Sequence, residues 1–290
     1  MNTRKRRFFR WGLGIALLSC SPILGEETEN VPLRDIEVIC DWNNPLPESR
    51  YRQGVEHHSF LSKSNNVEVG FTIYLPPGYH TGSERYPVQY FLGGSGNDEN
   101  SQQERWAEHL TPAIEKEVIL PMILVWPNPM KNSGYKDSQH MKVESMIIKD
   151  LIPHIDATYR TIAGREHRWI GGMSMGGGGC LALAFTYPNL FSSVLAYAPG
   201  GVRVQGKLKP DHVATIAREN VEKLGQTRVR IVSGEKDRGF EGAKAFHAFL
   251  LDLGVSSDFE AIPNIGHDMT GMFKQVGIKG LQFHSNSEGK

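Results

Sequence analysis

The chain has 290 residues, of which 39% are hydrophobic and 22% charged, and its formal net charge at pH 7 is zero. That length suits one large α/β domain or two small ones. Five basic residues fall within the first ten positions, so the remainder is mildly acidic. Nucleic acid is excluded as an expected partner, because such a partner requires a basic face on the folded part of the chain.

The N-terminal 25 residues have the layout of a secretory signal peptide: basic residues, the apolar stretch 11–24 and then polar residues 26–30. The apolar stretch is too short to span a bilayer as a helix. Arg6-Arg7-Phe8-Phe9 resembles a twin-arginine signal, and Leu17-Leu18-Ser19-Cys20 resembles the lipobox of bacterial lipoproteins. We therefore expect an exported protein, periplasmic or secreted, whose membrane contact is limited to the signal peptide or a lipid anchor at Cys20.

The three cysteines and the histidines give no metal pattern. Cys20 lies in the targeting segment, which leaves Cys40 and Cys180 in the body, where a disulfide between them is open but not required. Neither a C-x-x-C pair nor an H-E-x-x-H sequence occurs, so no zinc site is predicted. The glycine-rich segments match neither a phosphate-binding P-loop nor a dinucleotide loop, so no cofactor is expected.

Strands and helices are predicted to alternate through one domain at residues 53–285, after a polar lead-in at 26–52. A hairpin is predicted at 55–61 and 67–75, joined around Ser64-Asn65-Asn66. Alternating strands and helices indicate an α/β fold with a mainly parallel central sheet covered by helices on both faces. The further strands are predicted at 87–92, 121–126, 167–171, 193–197, 229–232 and 258–262, and the helices at 103–117, 142–159 with a kink at Pro153, 175–187, 211–224 and 240–253.

Gly172-Met173-Ser174-Met175-Gly176 fits the G-x-S-x-G pattern of a nucleophile elbow, in which a serine lies on a sharp turn between a strand and a helix. The glycines are required because a Cβ at either position would clash across the turn. The context agrees, since a buried strand is predicted before the serine and a helix of small residues after it. Ser174 is therefore the first candidate nucleophile.

Two other predicted strand ends carry the partners that a serine nucleophile needs, because functional groups in parallel sheets collect past the carboxyl ends of the strands. His267 follows the last strand, where a neutral imidazole can take the serine proton and return it to the leaving group. Asp237 and Glu235 both qualify to orient that imidazole, and Asp237 is preferred because it lies deeper in its loop, beside the next helix. Asp268 is expected to point away as a solvated charge. The order serine, acid, histidine is that of α/β-hydrolases.

Backbone N–H groups are expected to stabilise the oxyanion that forms during acyl transfer. One is predicted to be the N–H of Met175, at the N-terminus of the helix that follows the nucleophile. The second is predicted to be the N–H of Ser95, in the loop Gly93-Gly94-Ser95-Gly96, where glycines allow the backbone to approach a substrate closely. The polar residues 131–140 are expected to border the substrate, whereas Trp126 is expected either there or in the core.

Four stretches of the sequence carry a resemblance that spans about residues 53–270. They are residues 74–79, residues 86–94, residues 150–153 with 156 and 159–161, and residues 172–177 with 187, 188 and 191. With these stretches the sequence resembles the esterase D-like branch of the α/β-hydrolases, which includes carbohydrate esterase family one, the S-formylglutathione hydrolases and the mycobacterial mycolyltransferases. One departure is that the family usually has His-Gly where Gly93-Gly94 stands here, which keeps the backbone donor and removes a side chain.

The resemblance implies a serine acyl-enzyme mechanism and ester substrates, often acyl groups on plant polysaccharide. We therefore expect an exported, cofactor-independent serine carboxylesterase that hydrolyses feruloyl or acetyl esters of carbohydrate, or simple short-chain esters. Two alternatives stay open. An acyltransferase would use the same triad to pass the acyl group to a sugar or alcohol, and a non-catalytic surface protein would use the scaffold only to bind glycans.

Overall fold

The computed structural model describes residues 41–101, 103–204 and 212–285. The signal-peptide motifs, Cys20, Cys40 and most of the lead-in lie outside these residues, so the predictions made on them stay predictions. Among the described residues we find no helix whose length and apolar character would let it cross a bilayer.

An eight-stranded sheet lies at the centre of the fold. Its strands are β1 Val55–Ser62, β2 Val67–Tyr74, β3 Val88–Leu92, β4 Ile123–Pro127, β5 Arg168–Met173, β6 Ser193–Tyr197, β7 Arg228–Gly234 and β8 Ser257–Ile262. They are arranged in the order β1-β2-β4-β3-β5-β6-β7-β8. β1 pairs antiparallel with β2 and β2 antiparallel with β4, whereas every later pair is parallel. The predicted hairpin and the predicted parallel sheet are therefore both present.

Helices cover the two faces of this sheet, and alternate residues of the buried strands contribute to one core or the other. Trp106 and Phe273 pack in the core on one face of the sheet, while Phe185 and Phe246 belong to the core on the opposite face. The helices are α1 Gln103–Glu115, α2 Val143–Ser145, α3 Ile152–Thr158, α4 Met175–Thr186, α5 His212–Glu219, α6 Val221–Leu224, α7 Phe240–Asp252 and α8 Met269–Ser285.

The helix predicted at 142–159 is continuous, and the disturbance expected at Pro153 takes the form of a wide turn. Residues Met146–Leu151, between α2 and α3, form a π-helical segment. Proline has no N–H, and its ring crowds the carbonyl four residues earlier, which here belongs to Lys149 within that segment. Widening the turn before Pro153 relieves this crowding without breaking the helix.

Two differences from the predicted elements have identifiable causes. The helix predicted at 211–224 is divided at Asn220 into α5 and α6. Helix α8 was not predicted at all, because Gly271, Gly277 and Gly280 interrupt its apolar pattern. Gly280 is explained by packing, since a Cβ there would lie 2.5 Å from the hydroxyl of Tyr197.

Candidate active site

Ser174 lies on a sharp turn between β5 and α4, with φ 57° and ψ −116°. A positive φ is uncommon for a residue other than glycine and has to be held in place by its surroundings. Three backbone hydrogen bonds do this. Ser174 donates its N–H to the carbonyl of Tyr197 at 3.0 Å, and its own carbonyl accepts the N–H groups of Gly178 and Gly200 at 3.1 and 2.7 Å.

The two glycines of the elbow pattern are required by close backbone approaches. A Cβ on Gly172 would collide with the carbonyl of Gly176, and a Cβ on Gly176 would collide with the carbonyl of Leu92 at the end of β3. The elbow is therefore pressed directly against the neighbouring strand end. This contact brings Ser174 beside the glycine loop that follows β3.

His267 and Asp237 complete a hydrogen-bonded relay with Ser174. His267 Nε2 lies 2.9 Å from Ser174 Oγ, and His267 Nδ1 lies 2.6 Å from Asp237 Oδ2. The side chain of Asp237 is 2% exposed, whereas that of His267 is 40% exposed. A buried carboxylate thus faces one ring nitrogen, while the other nitrogen and the hydroxyl open towards solvent.

The turn after β7 decides which acid meets the histidine. Asp237 donates its N–H to the carbonyl of Gly234 at 2.9 Å, and its Oδ1 accepts the N–H of Gly239 at 2.7 Å. This tight turn directs Asp237 inward, whereas Glu235 is exposed. Asp268 is also exposed, and its Oδ1 accepts the N–H of Thr270 at 2.9 Å in the first turn of α8.

The two expected oxyanion donors lie in segments that meet beside Ser174. Met175 is the first residue of α4, and its Sδ lies 3.5 Å from the hydroxyl of Ser95. In the same loop, a Cβ built on Gly94 would lie 3.5 Å from Ser174 Cβ. The N–H of Gly94 is engaged, because it donates to Asn97 Oδ1 at 3.0 Å. The predicted donor, the N–H of Ser95, is the next one along this loop.

Among the other residues considered from the sequence, Trp126 packs in the core with 2% exposure. The segment 131–140 does border the site, since the N–H of Gly134 lies 3.4 Å from Met175 Sδ. Sequence reasoning missed Tyr135 in this segment, whose hydroxyl donates to the carbonyl of Gly93 at 2.8 Å. No spacing signal marks this tyrosine, because its contacts join three separate parts of the chain.

Cys180 lies buried on α4, where its thiol donates to the carbonyl of Gly177 at 3.2 Å. Burial raises the pKa of this thiol well above its ordinary value, so it stays protonated. It is therefore no competitor to Ser174 as nucleophile. Within the described ranges, no three His, Cys, Asp or Glu side chains are grouped so that they could hold a metal ion.

Known proteins share both the sequence pattern and the fold. "Esterase Rv1288" of Mycobacterium tuberculosis is 28% identical over 153 residues, which are 51% of this chain and 33% of that protein. "Endo-1,4-beta-xylanase/feruloyl esterase" of Xylanibacter ruminicola is 27% identical over 221 residues, covering 69% of this chain and 30% of that protein. The chain thus spans about a third of the length of each of these two relatives.

A solved structure described as a ferulic acid esterase superposes with a TM-score of 0.73 at 22% identity, covering 80% of this chain and 97% of that one. The fold is the α/β-hydrolase fold, which confirms the predicted fold class. A family model described as "Putative esterase" matches residues 62–250. Since that match covers well over half of the chain, the protein belongs to this esterase family, in agreement with the resemblance noted from its motifs.

Proposed function

We propose that the protein is a serine carboxylic ester hydrolase with Ser174, His267 and Asp237 as its triad. The observation that carries this proposal is the hydrogen-bonded relay, with 2.9 Å between Ser174 Oγ and His267 Nε2 and 2.6 Å between His267 Nδ1 and Asp237 Oδ2. A serine hydroxyl is a weak nucleophile at neutral pH and needs a neighbouring base in this arrangement. Membership of the esterase family supports the same reaction.

In the acylation step, Ser174 Oγ attacks the ester carbonyl carbon while His267 Nε2 takes the hydroxyl proton. The carbonyl oxygen becomes negatively charged and is stabilised by the N–H groups of Met175 and Ser95. The carbon–oxygen bond to the alcohol then breaks as His267 returns the proton to the leaving oxygen. Asp237 keeps the Nδ1 proton facing itself and stabilises the imidazolium that forms in between.

In the deacylation step, water replaces the alcohol. His267 takes a proton from water, the hydroxide oxygen bonds to the acyl carbon, and the proton returns to Ser174 Oγ as the acid leaves. The 40% exposure of the His267 side chain supports access of water to the acyl-enzyme. Product analysis with an added alcohol or sugar acceptor separates hydrolysis from acyl transfer: free acid as the main product supports the hydrolase, and an acylated acceptor as the main product would replace it by an acyltransferase.

We propose feruloyl or acetyl esters of carbohydrate, or simple short-chain esters, as the substrate class. The name of the Xylanibacter ruminicola relative and the fold of the ferulic acid esterase support this choice. A panel of acetylated xylan, feruloylated arabinoxylan fragments, short-chain p-nitrophenyl esters and S-formylglutathione tests it. A preference for S-formylglutathione over every oxygen ester would reject the carbohydrate-ester assignment and leave the serine mechanism untouched.

We also propose that the protein is exported, on the strength of the signal-peptide pattern and of the lipobox that ends at Cys20. Export would place the enzyme outside the cytoplasm, as polymeric esters require. Cell fractionation of the full-length chain tests this. If the protein is anchored by a lipid at Cys20, the Cys20→Ala variant cannot carry that lipid and should be lost from the membrane fraction. Retention of the unprocessed chain in the cytoplasm would refute export.

The proposed nucleophile is tested with Ser174→Ala, using Ser59→Ala as the control because Ser59 is an exposed serine on β1. We expect Ser174→Ala to lower kcat for p-nitrophenyl acetate by about 10³-fold or more and to abolish labelling by a fluorophosphonate. Ser59→Ala should match the wild type in both assays. Labelling or turnover that survives in Ser174→Ala would remove Ser174 from the mechanism.

A further inference from the structure

The peptide group that joins Gly93 to Gly94, just before the proposed oxyanion donor, is held at both ends. Its carbonyl oxygen accepts the hydroxyl of Tyr135 at 2.8 Å, and its N–H donates to Asn97 Oδ1 at 3.0 Å. Gly93 is buried, so its carbonyl has no access to water as a substitute partner. The orientation of this peptide plane therefore depends on the Tyr135 hydroxyl at its carbonyl end and on Asn97 at its N–H end.

The next peptide group, between Gly94 and Ser95, is also held by a hydrogen bond. The carbonyl of Gly94 accepts the N–H of Asn97 at 3.2 Å, which closes a turn over residues 94–97. In a trans peptide the N–H points opposite to the C=O, so the N–H of Ser95 points away from that turn. With one peptide plane fixed by Tyr135 and the next by Asn97, the direction of the Ser95 N–H is set before any substrate arrives.

Tyr135 reaches Gly93 from a deep position between two elements of the site. The residue is 1% exposed, and a Cβ on Gly179 of α4 would lie 2.5 Å from its Cδ2 atom. The ring thus fills the space that the absent side chain leaves on the helix following Ser174. Burial raises the pKa of the Tyr135 hydroxyl well above its ordinary value, so the group remains a hydrogen-bond donor at every working pH.

The loop that carries Tyr135 is held in unusual backbone geometry. Met130, Asn132 and Tyr135 all have positive φ, at 48°, 55° and 58°. Non-glycine residues adopt such angles only where surrounding contacts enforce them. Here Ser133 Oγ donates to the carbonyl of Pro129 at 2.7 Å and accepts the N–H of Tyr135 at 3.0 Å. Strained loops of this kind concentrate at functional sites, where they fix a group in position.

We propose that Tyr135 is a positioning residue for the oxyanion hole: its hydroxyl fixes the Gly93–Gly94 peptide and so directs the Ser95 N–H towards the charge formed on the substrate. This rests on the proposed serine esterase function. Tyr135 acts through the backbone of the glycine loop and touches neither the nucleophile nor the base in the relay. Its loss should therefore weaken stabilisation of the transition state more than substrate binding.

The first test compares Tyr135→Phe with Tyr74→Phe. Tyr74 is the matched control because it is also fully buried and its hydroxyl is also hydrogen-bonded, to Thr111 Oγ1 at 2.8 Å, away from the site. Removing an oxyanion donor lowers kcat by about 10²- to 10³-fold. Misdirecting one should lower kcat by about 10- to 100-fold in Tyr135→Phe, with KM changed less than about 3-fold. Tyr74→Phe should retain wild-type kcat.

A second measurement separates positioning from general loosening of the fold. A trifluoromethyl ketone analogue of the ester forms an oxyanion on Ser174, whereas the carboxylic acid product does not. Tyr135→Phe should weaken binding of the ketone by the same factor as kcat and leave binding of the acid unchanged. Equal weakening of both ligands, or a kcat within about 2-fold of wild type, would overturn the proposal.

Gly179→Ala provides an independent variant that keeps the hydroxyl and displaces the ring, with Gly242→Ala as control because a Cβ there meets open space. We expect the same selective loss of kcat in Gly179→Ala alone. The wild-type protein reports separately on the underlying function. If it neither turns over esters nor reacts with a fluorophosphonate, the esterase proposal fails; if it does both while Tyr135→Phe is unaffected, only the positioning role fails.

Discussion

Replacing Asp237 by asparagine should invert the tautomer of His267. Asp237 Oδ1 accepts the N–H of Gly239 at 2.7 Å, while Oδ2 faces His267 Nδ1 at 2.6 Å. An amide has a single oxygen, and the Gly239 N–H can only donate, so that oxygen takes the Gly239 side and the NH₂ group faces Nδ1. The imidazole then accepts at Nδ1 and carries its proton on Nε2, where it cannot take the proton of Ser174.

The expected loss of kcat is large because Asp237→Asn removes the general base while the fold is kept. In Ser-His-Asp triads the wrong tautomer lowers kcat by about 10⁴-fold, and we expect about 10³- to 10⁴-fold here, or about 4–5.5 kcal/mol in the activation barrier. The two side chains are nearly isosteric, and the asparagine keeps its hydrogen bond with Gly239. The melting temperature should therefore change little compared with kcat.

The assay is steady-state hydrolysis of p-nitrophenyl acetate, with Glu235→Gln as the matched control. Glu235 lies two residues earlier in the same loop but is exposed, so its amide should retain kcat within about 3-fold of wild type. Thermal unfolding of each variant verifies that the fold persists. The comparison thus changes one carboxylate at a time at the end of a single strand.

Two outcomes would refute the reasoning. A large loss in Glu235→Gln with little change in Asp237→Asn would transfer the orienting role to Glu235. Retention of more than about a tenth of wild-type kcat in both variants would show that no carboxylate in this loop governs the imidazole, in contrast to the behaviour of known triads.

Two further predictions concern buried ionisable side chains. The Glu99 carboxylate accepts hydrogen bonds from the backbone N–H and the side-chain amide of Asn44, at 2.6 and 3.0 Å, and from His57 Nε2 at 3.0 Å. The substitution Glu99→Gln leaves a buried donor unpaired. It should therefore lower the free energy of unfolding, measured in urea, by about 1–3 kcal/mol. Glu222→Gln is the control because Glu222 is exposed. Equal urea midpoints for the Glu99→Gln and Glu222→Gln variants would contradict this prediction. Burial, with two arginines nearby, lowers the pKa of His284 from 6.5 to about 3. Between pH 6.5 and pH 3 the His284 imidazole is protonated in the unfolded chain and neutral in the folded chain. The stability that is present above pH 6.5 is therefore lost as the pH falls towards 3, and the free energy of unfolding is lower by about 2 kcal/mol at pH 5. His284→Gln should remove this share of the acid sensitivity in urea titrations at pH 7.5 and 5, and an unchanged pH slope would speak against a buried neutral imidazole.

The elbow could be read from the sequence because its pattern is local. Glycines stand two residues before and two residues after Ser174, and strand and helix patterns flank them directly. The strand end at Leu92, against which Gly176 packs, is distant in the sequence and is identified only by the structure. The alternation of apolar strands with helices likewise predicts a parallel sheet, because each segment must bury its own apolar face. Helix α8 escaped prediction because glycines interrupt its apolar pattern, and one of them, Gly280, is explained only by its packing against Tyr197 of β6.

The choice between neighbouring polar groups needed the tertiary structure. Sequence order alone left Asp237 and Glu235 both open, and the turn that donates the Asp237 N–H to Gly234 selects the buried one. Tyr135 carried no sequence signal, because its role depends on contacts with distant parts of the chain. Its hydroxyl donates to the carbonyl of Gly93, and its ring packs against α4. The periodicity of apolar residues and the residues that favour turns are local properties of the sequence, and they determine where strands, helices and the elbow form. Which side chains then meet depends on the directions in which distant loops leave the sheet, and only the folded packing decides those directions.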